Sequence, residues 1–208
     1  MVTATASRGQ HSRPGEGRAD DWRGQQQRTI SFQTCHRNPQ WIGDRRFRAC
    51  YDCFLRSAGR SDDDLMRAAI ELGREGGRRG EVPVGAVVVH NGEVIGEGFN
   101  EPIGASDPTA HAEIVALRDA GKRRGNYRLT GATVFVTIEP CQMCVGAMIH
   151  ARISRVVYGT TEPKAGAIES AMRAHEHPSL NHRMEATGGV LEPECRELIQ
   201  EFFRASRV

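Results

Sequence analysis

Apolar residues first recur at helical spacing in SDDDLMRAAIELGREGG, residues 61–77, where Leu65, Ala69 and Leu72 line one face. Ser61 and Asp64 stand in capping-box positions ahead of that face, acids fill the first turn, and Gly76 with Gly77 reads as the helix end. The pattern then shifts to β-branched runs. VPVGAVVVHNGEVIGEGFN, residues 82–100, places two of them around Asn91-Gly92, a dipeptide that tolerates positive φ at both turn positions and so predicts a type I′ hairpin. Helical spacing returns in DPTAHAEIVALRDAG, residues 107–121, with Asp107 in an N-cap position and Pro108 in the first helical one. ATVFVTI, residues 132–138, is apolar without alternation, as expected of a strand covered on both faces. Cys141 opens a third helix ending near Arg152, and RVVYG, residues 155–159, is a further strand. Residues 193–206 form an amphipathic helix that turns Leu198, Ile199, Phe202 and Phe203 inward. Residues 160–190 carry no clear period. The order α-β-β-α-β-α-β…α predicts an α/β fold with a central sheet and helices on both faces.

Residues 1–60 break from this patterning. They are rich in Arg, Gly and Gln, poor in aliphatics, and bury too little apolar surface to offset chain entropy. They are expected to be a disordered extension or sequence ahead of the true start, with the folded domain at 61–208. Cys35, His36, Cys50 and Cys53 in this stretch suggest a small zinc site, but no apolar core surrounds them to hold a knuckle. The net charge of +2 conceals an asymmetry: 1–60 carries 11 Arg against 5 acids, while 61–208 carries 17 basic and 21 acidic residues. The domain is therefore not globally basic. A nucleic-acid partner would have to meet local patches such as KRRGNYR (122–128), RISR (152–155) and the Arg204/Arg207 end. No run approaches the ~18 apolar residues of a membrane helix, mean hydropathy is −0.50, and the first thirty residues hold no secretory block. A cytoplasmic protein with no membrane association is expected. Six unevenly spread cysteines do not make a disulfide framework, and the two C-x-x-C pairs, Cys50–Cys53 and Cys141–Cys144, point to metal or redox chemistry.

The second of those pairs has a counterpart. His111 and Glu113 lie in the opening turns of one helix, and Cys141 and Cys144 open the next. Sulfurs three residues apart share a helix face, and the positive potential of a helix N-terminus favours thiolates there. Two thiolates and one neutral imidazole, from His111, give zinc three ligands and leave its fourth position open, the mark of a catalytic centre. Residues two apart on a helix are rotated by ~200°, so His111 and Glu113 can both face one ion only if it lies near the helix end. Glu113 then faces a zinc-bound water, whose pKa the metal lowers to ~7, and shuttles protons for a hydroxide attack. Either motif alone has a plainer meaning: HAE is an ordinary solvated helix start, and a lone C-x-x-C is more often redox or structural. It is their combination that points to a metal. A closed structural site would need a fourth ligand such as His150 or Cys195, and His150 is six residues past Cys144, off the shared face.

HAE with PCQMC resembles the signature of the cytidine/deoxycytidylate-type zinc deaminases. Three longer stretches, GEGFNEPIGASDPTAHAEIVALRDAG, EPCQMCVGAMIHARISRVVYGTTEPKAGA and LNHRMEATGGVLEPECRELIQEFFR, are similar to the bacterial tRNA-specific adenosine deaminases, over about 61–208. The resemblance implies a cytidine deaminase-like, three-layer α-β-α fold with a central mixed sheet of about five strands. It implies hydrolytic deamination of adenosine to inosine at the wobble position of a tRNA anticodon, typically tRNA-Arg, by a homodimer carrying one Zn2+ per subunit and no organic cofactor. The anticodon stem-loop is the expected partner. By the same resemblance His111, Cys141 and Cys144 hold zinc, Glu113 is catalytic, and Asn100 bonds the flipped base. Lys164, Phe203 and Arg207 are expected to contact substrate, and MIHARISRVVYG to form the dimer interface. Glu162 stands where the family usually has Asp, in a loop that resembles an RNA-facing one. Phe202 and Phe203 are as readily core residues as stacking surfaces, and the helical pattern favours core. Two other readings remain. One is a deaminase of a free base or nucleoside, of guanine or cytosine type, from which the C-terminal stretch distinguishes this chain. The other is a non-catalytic zinc subunit presenting RNA, which would not need Glu113.

Overall fold

The computed structural model describes residues 59–205, so Cys35, His36, Cys50, Cys53 and Arg207 lie outside the described residues. Helix α1 spans Asp62–Arg78 and begins as its sequence requires. The Ser61 hydroxyl accepts from the Asp64 amide at 3.2 Å, and the Asp64 carboxylate accepts from the Ser61 amide at 3.1 Å. The helix continues through Gly76 and Gly77 rather than stopping there, and closes at Arg79 and Gly80 (φ +84°). Gly76 serves close approach instead of termination: a Cβ there would sit 3.2 Å from the Phe99 ring. Strands β1 (Gly85–His90) and β2 (Glu93–Phe99) form the hairpin. Its turn residues Asn91 and Gly92 have φ of 52° and 76°, the positive pair a type I′ turn needs.

Helix α2 spans Ala112–Arg124, β3 Thr133–Ile138, α3 Gln142–His150 and β4 Arg155–Thr160. In the stretch without a clear period, a single 3-10 turn at Ala174–Glu176 precedes β5, Glu185–Thr187, and α4, Glu192–Ala205, follows. The five strands lie in the order β2-β1-β3-β4-β5. β1 pairs antiparallel with β2 and β3, while β3–β4 and β4–β5 are parallel. The sheet is mixed, as expected.

Alternate residues of the central strands enter opposite cores. Ala86, Val88, Val134, Val136, Val156 and Tyr158 pack with α2 and α3. Val87, Val89, Phe135 and Val157 pack with α1 and α4. Burial on both faces explains why ATVFVTI shows no polar alternation, and it produces the three layers. Besides the end of α1, one boundary and one buried position differ from the sequence reading. Asp107 does not cap α2: its carboxylate accepts from the Thr109 amide at 2.8 Å and hydroxyl at 2.7 Å, closing a local turn through Pro108. The helix starts five residues after Asp107. Phe203 is not inward either: it is exposed, Phe202 is half-buried, and only Cys195 and Leu198 of α4 are fully buried.

Candidate active site

Residue pairing across the hairpin and its neighbour brings the site together. Gly85 lies opposite Phe99 and Ala86 opposite Val136, so the C-terminal ends of β2 and β3 share one edge of the sheet. From that edge the chain passes into α2 and α3, whose N-cap residues are His111 and Cys141. Both caps have extended backbone, and neither side chain makes a capping hydrogen bond. Helices ordinarily begin on Ser, Thr, Asp or Asn, whose oxygen binds a first-turn amide. At α2 that duty passes to Asn100, whose Oδ1 accepts from the Ala112 amide at 2.9 Å.

The two cap side chains instead converge. His111 Nδ1 lies 3.6 Å from Cys141 Sγ and 3.7 Å from Cys144 Sγ, and the two sulfurs are 3.8 Å apart. Zinc bonds of ~2.3 Å to sulfur and ~2.05 Å to nitrogen at tetrahedral angles place two sulfurs ~3.8 Å apart and sulfur from nitrogen ~3.6 Å. The three atoms thus sit at the corners of one face of a zinc tetrahedron, and the donor set fits the metal. Among the described residues this is the one His/Cys/Asp/Glu cluster of metal-binding geometry. Neither proposed fourth ligand joins it. His150 is exposed at the far end of α3, and Cys195 belongs to the core on the other face of the sheet.

Glu113, second residue of α2, is buried beside this cluster. Burial pushes its carboxyl above the ordinary carboxylate range, with the nearby Cys141 adding to the effect. His111 is raised mainly by its hydrogen bond with Cys141. The two thiols share one proton: Cys144 donates to Cys141, which draws Cys141 down to about 4 and pushes Cys144 up. A carboxyl raised by burial, a thiolate and an imidazole at two positive helix ends can hold a cation and move a proton.

The remaining sequence-predicted residues are more dispersed. Lys164 is exposed on the loop after β4, its amide bonded to the Glu162 carboxylate at 2.9 Å. Phe203 is on α4, in the helix layer opposite α2 and α3. The RISR stretch is engaged within the fold: Arg155 pairs with Asp62 and bonds Thr187, and Arg152 bonds Asn181. In KRRGNYR, Arg123 pairs with Asp119 and Glu97, and Arg128 stacks on exposed Tyr127.

The sequence matches the cytidine and deoxycytidylate deaminase zinc-binding region over residues 60–160, a span that contains His111, Glu113, Cys141 and Cys144. A tRNA-specific adenosine deaminase of Haemophilus influenzae is 48% identical over 147 residues, covering 70% of this chain and 85% of that protein. One from Bacillus subtilis is 40% identical over 146 residues, covering 70% and 91%. This chain belongs to the tRNA-specific adenosine deaminase family. A solved structure from work on A-to-I editing by tRNA:A34 deaminases at the wobble position is 42% identical, with a TM-score of 0.63 over 64% of this chain and 97% of that one. A guanine deaminase from Nitrosomonas europaea, 21% identical with a TM-score of 0.61 over 70% of this chain and 86% of that one, shares the fold.

One residue of this family member escaped the sequence reading. Glu139, at the end of β3, is buried with its carboxylate enclosed by the loop 162–170. Burial alone would raise its pKa, but the Ser170 hydroxyl and the amides of Glu169, Ser170 and Glu162 outweigh it and hold the group at about 2. The available signal was an acid directly following a strand buried on both faces, since such a charge must find donors.

Proposed function

We propose that this protein hydrolyses the adenosine at the wobble position of a tRNA anticodon to inosine and ammonia, with one zinc ion per subunit on His111, Cys141 and Cys144. The observation that carries this is the tetrahedral-face geometry of those three ligand atoms, with no fourth His, Cys, Asp or Glu in the cluster among the described residues and buried Glu113 alongside. Family membership supports RNA adenosine as the substrate. Bound zinc supplies Lewis acidity, which brings the first proton of a water into the range of a base working near neutral pH. Glu113 accepts that proton as the water oxygen attacks the adenine carbon bearing the amino group. It then returns a proton to the departing nitrogen, and the C–N bond breaks. Burial raises the Glu113 pKa, which suits a group that must alternate between base and acid.

Asn100 orients the base. Its carbonyl oxygen is committed to the Ala112 amide, which fixes the side-chain amide and leaves the NH2 end to donate to a ring acceptor. Lys164 and Phe203 are exposed and suit a phosphate contact and a stacking contact, respectively. Arg207 has the same assignment by resemblance. Homodimer assembly and a cytoplasmic location, where tRNA is met, follow from the family reading; among the described residues no helix is long and apolar enough to cross a membrane.

The test is purified protein with transcribed tRNA-Arg and its isolated anticodon stem-loop, sequenced for inosine, beside free adenosine, guanine and cytosine. Inosine at the wobble position with the free compounds untouched is expected. Turnover of a free base with the RNA unchanged would overturn the proposal in favour of a small-molecule deaminase.

A further inference from the structure

Five donors surround the Glu139 carboxylate. Oε1 accepts from the amides of Ile168 at 3.0 Å, Glu169 at 2.8 Å and Ser170 at 3.0 Å. Oε2 accepts from the Glu162 amide at 3.1 Å and from the Ser170 hydroxyl. Both ends of the loop 162–170 are thus tied to one side chain. Between those ends the loop touches the metal-ligand segment: Gly166 forms a β-bridge with Cys141, and the Ala167 amide donates to the Pro140 carbonyl at 2.8 Å. Gly166 lies directly over the carboxylate, where a Cβ would come within 2.3 Å of Oε2. The order Glu139-Pro140-Cys141 therefore links a loop anchor to a metal ligand through one rigid residue.

We propose that Glu139 is a positioning residue: its carboxylate holds the loop 162–170 against Cys141 and so fixes the wall of the site from which Lys164 projects. The proposal rests on the deaminase reading above for its substrate half. A carboxylate is suited to the task because it accepts at every lone pair. Glutamine of the same size must place an NH2 against either three amides or the Glu162 amide, so at least one buried donor loses its acceptor. The loop has no helix; besides Glu139 it is held by the bridge to Cys141, by backbone bonds such as Gly166 to Glu162, and by Ala167 and Ile168 seated in the core. Glu139 adds the one side chain that binds residue 162 and residues 168–170 at a single point. The effect reaches substrate through Lys164 and the loop backbone, not through contact of Glu139 with the reacting atoms.

The experiment compares zinc-loaded full-length wild type with Glu139→Gln and Ser170→Ala, by hydrogen exchange across residues 162–170 and by steady-state kinetics on the anticodon stem-loop. In Glu139→Gln, exchange at Ile168, Glu169 and Ser170 should accelerate roughly tenfold or more, the equivalent of one lost hydrogen bond to a charged acceptor. Amides of α1 and β3 should keep wild-type protection. KM for the stem-loop should rise by about the same factor while kcat per bound zinc changes less, because the loop serves binding more than the chemical step. Ser170→Ala should move both readouts in the same direction by less, and it carries the test if Glu139→Gln does not fold. Unchanged loop exchange in a folded Glu139→Gln protein would overturn the clamp. Acceleration spread evenly over the domain, with KM and kcat per zinc unaltered, would also overturn it, since that is a residue of the fold alone. A wild type that leaves RNA untouched removes the deaminase reading and the substrate half with it, while loop exchange still decides whether Glu139 orders 162–170.

Discussion

Gly98→Ala tests whether the site depends on how closely α2 lies against β2. A Cβ at residue 98 would stand 2.5 Å from the Ala112 carbonyl oxygen and 2.6 Å from the Ala116 amide nitrogen, both backbone atoms that cannot rotate away. Reaching an ordinary contact of 3.4 Å requires the helix to retreat by roughly 0.9 Å at its first turn. Overpacking of that kind costs about 1–3 kcal/mol, or roughly 2–12 °C in melting temperature for a domain of this size. The larger effect should be catalytic. His111 and Glu113 ride on that turn, and a displacement near 1 Å in reacting groups can cost ~100-fold in rate, equivalent to ~2.7 kcal/mol. Gly96→Ala is the control. It meets the Ala116 carbonyl oxygen at 2.4 Å and the Ala120 Cβ at 2.7 Å, one turn further from the ligands. It should destabilise as much and slow turnover far less. The assay is thermal melting, zinc content and kcat/KM on the stem-loop for both variants. The reasoning fails if Gly98→Ala keeps wild-type kcat/KM, or if both variants lose activity in the same proportion to stability.

Glu113→Ala should retain zinc, since the ligand set is untouched, and lose about 10²–10⁴ in kcat; metal analysis beside turnover checks it, and near-normal activity would refute the shuttle role. Cys141→Ser, or chelation of the wild type, should abolish turnover and forfeit the stability that ligand binding supplies, about 2.7 kcal/mol when zinc stands at 100 times its Kd. The fold should survive, because α2 and α3 are packed by Ala112, Ile114, Val145 and Met148 independently of the ligands; far-ultraviolet circular dichroism of the apoprotein reads this directly. Cys195 sets an alkaline limit: burial raises its thiol from 9.0 to about 12, so its contribution is complete below pH 9 and is lost as pH rises from 9 to 12. By pH 10.5 the loss is about 2 kcal/mol, and Cys195→Ala should show a correspondingly shallower decline in urea unfolding free energy between pH 8 and 10.5. Parallel declines in the two proteins would count against a buried, neutral thiol.

Where a sequence signal has only one local solution, it was legible. The Ser61–Asp64 box, the Asn91-Gly92 turn and the two-sided burial of Thr133–Ile138 each demand one backbone state, and the structure adopts it. Asp107-Pro108 was misread because an aspartate before proline serves an N-cap and a local turn equally well, and Thr109 supplied the turn's donors. Gly76-Gly77 could stop a helix or admit a neighbour, and Phe99, a tertiary contact, decided between them. β5 has only three residues on the sheet edge, too few to display a period, with two of them exposed. Phe203 follows the apolar stripe of α4 yet is exposed near the C-terminal end of that helix, where periodicity alone does not say what covers a side chain.

The cluster of His111, Cys141 and Cys144 was suggested by two helix-start motifs read together, and the structure brings those three side chains within reach of one another; what the sequence did not display is that two of them stand as N-caps. Histidine and cysteine are poor N-caps, and each forgoes roughly 1 kcal/mol that Ser, Asp or Asn would contribute at the same position. Placing them there at both α2 and α3 leaves two first turns short of their usual acceptor, a deficit made up at α2 by Asn100. A cap side chain points along the helix axis toward the space before the first turn, which is also where two converging helix ends present their amides. That direction is what lets His111 and Glu113, two residues apart, address one point, as no pair on the helix flank could. The candidate ligands His111 and Cys141 are therefore placed by the positions of their helices. Catalytic geometry and the seating of the first turn of α2 on Gly98 become one property, so turnover should respond to displacement of that turn even when every candidate ligand is intact.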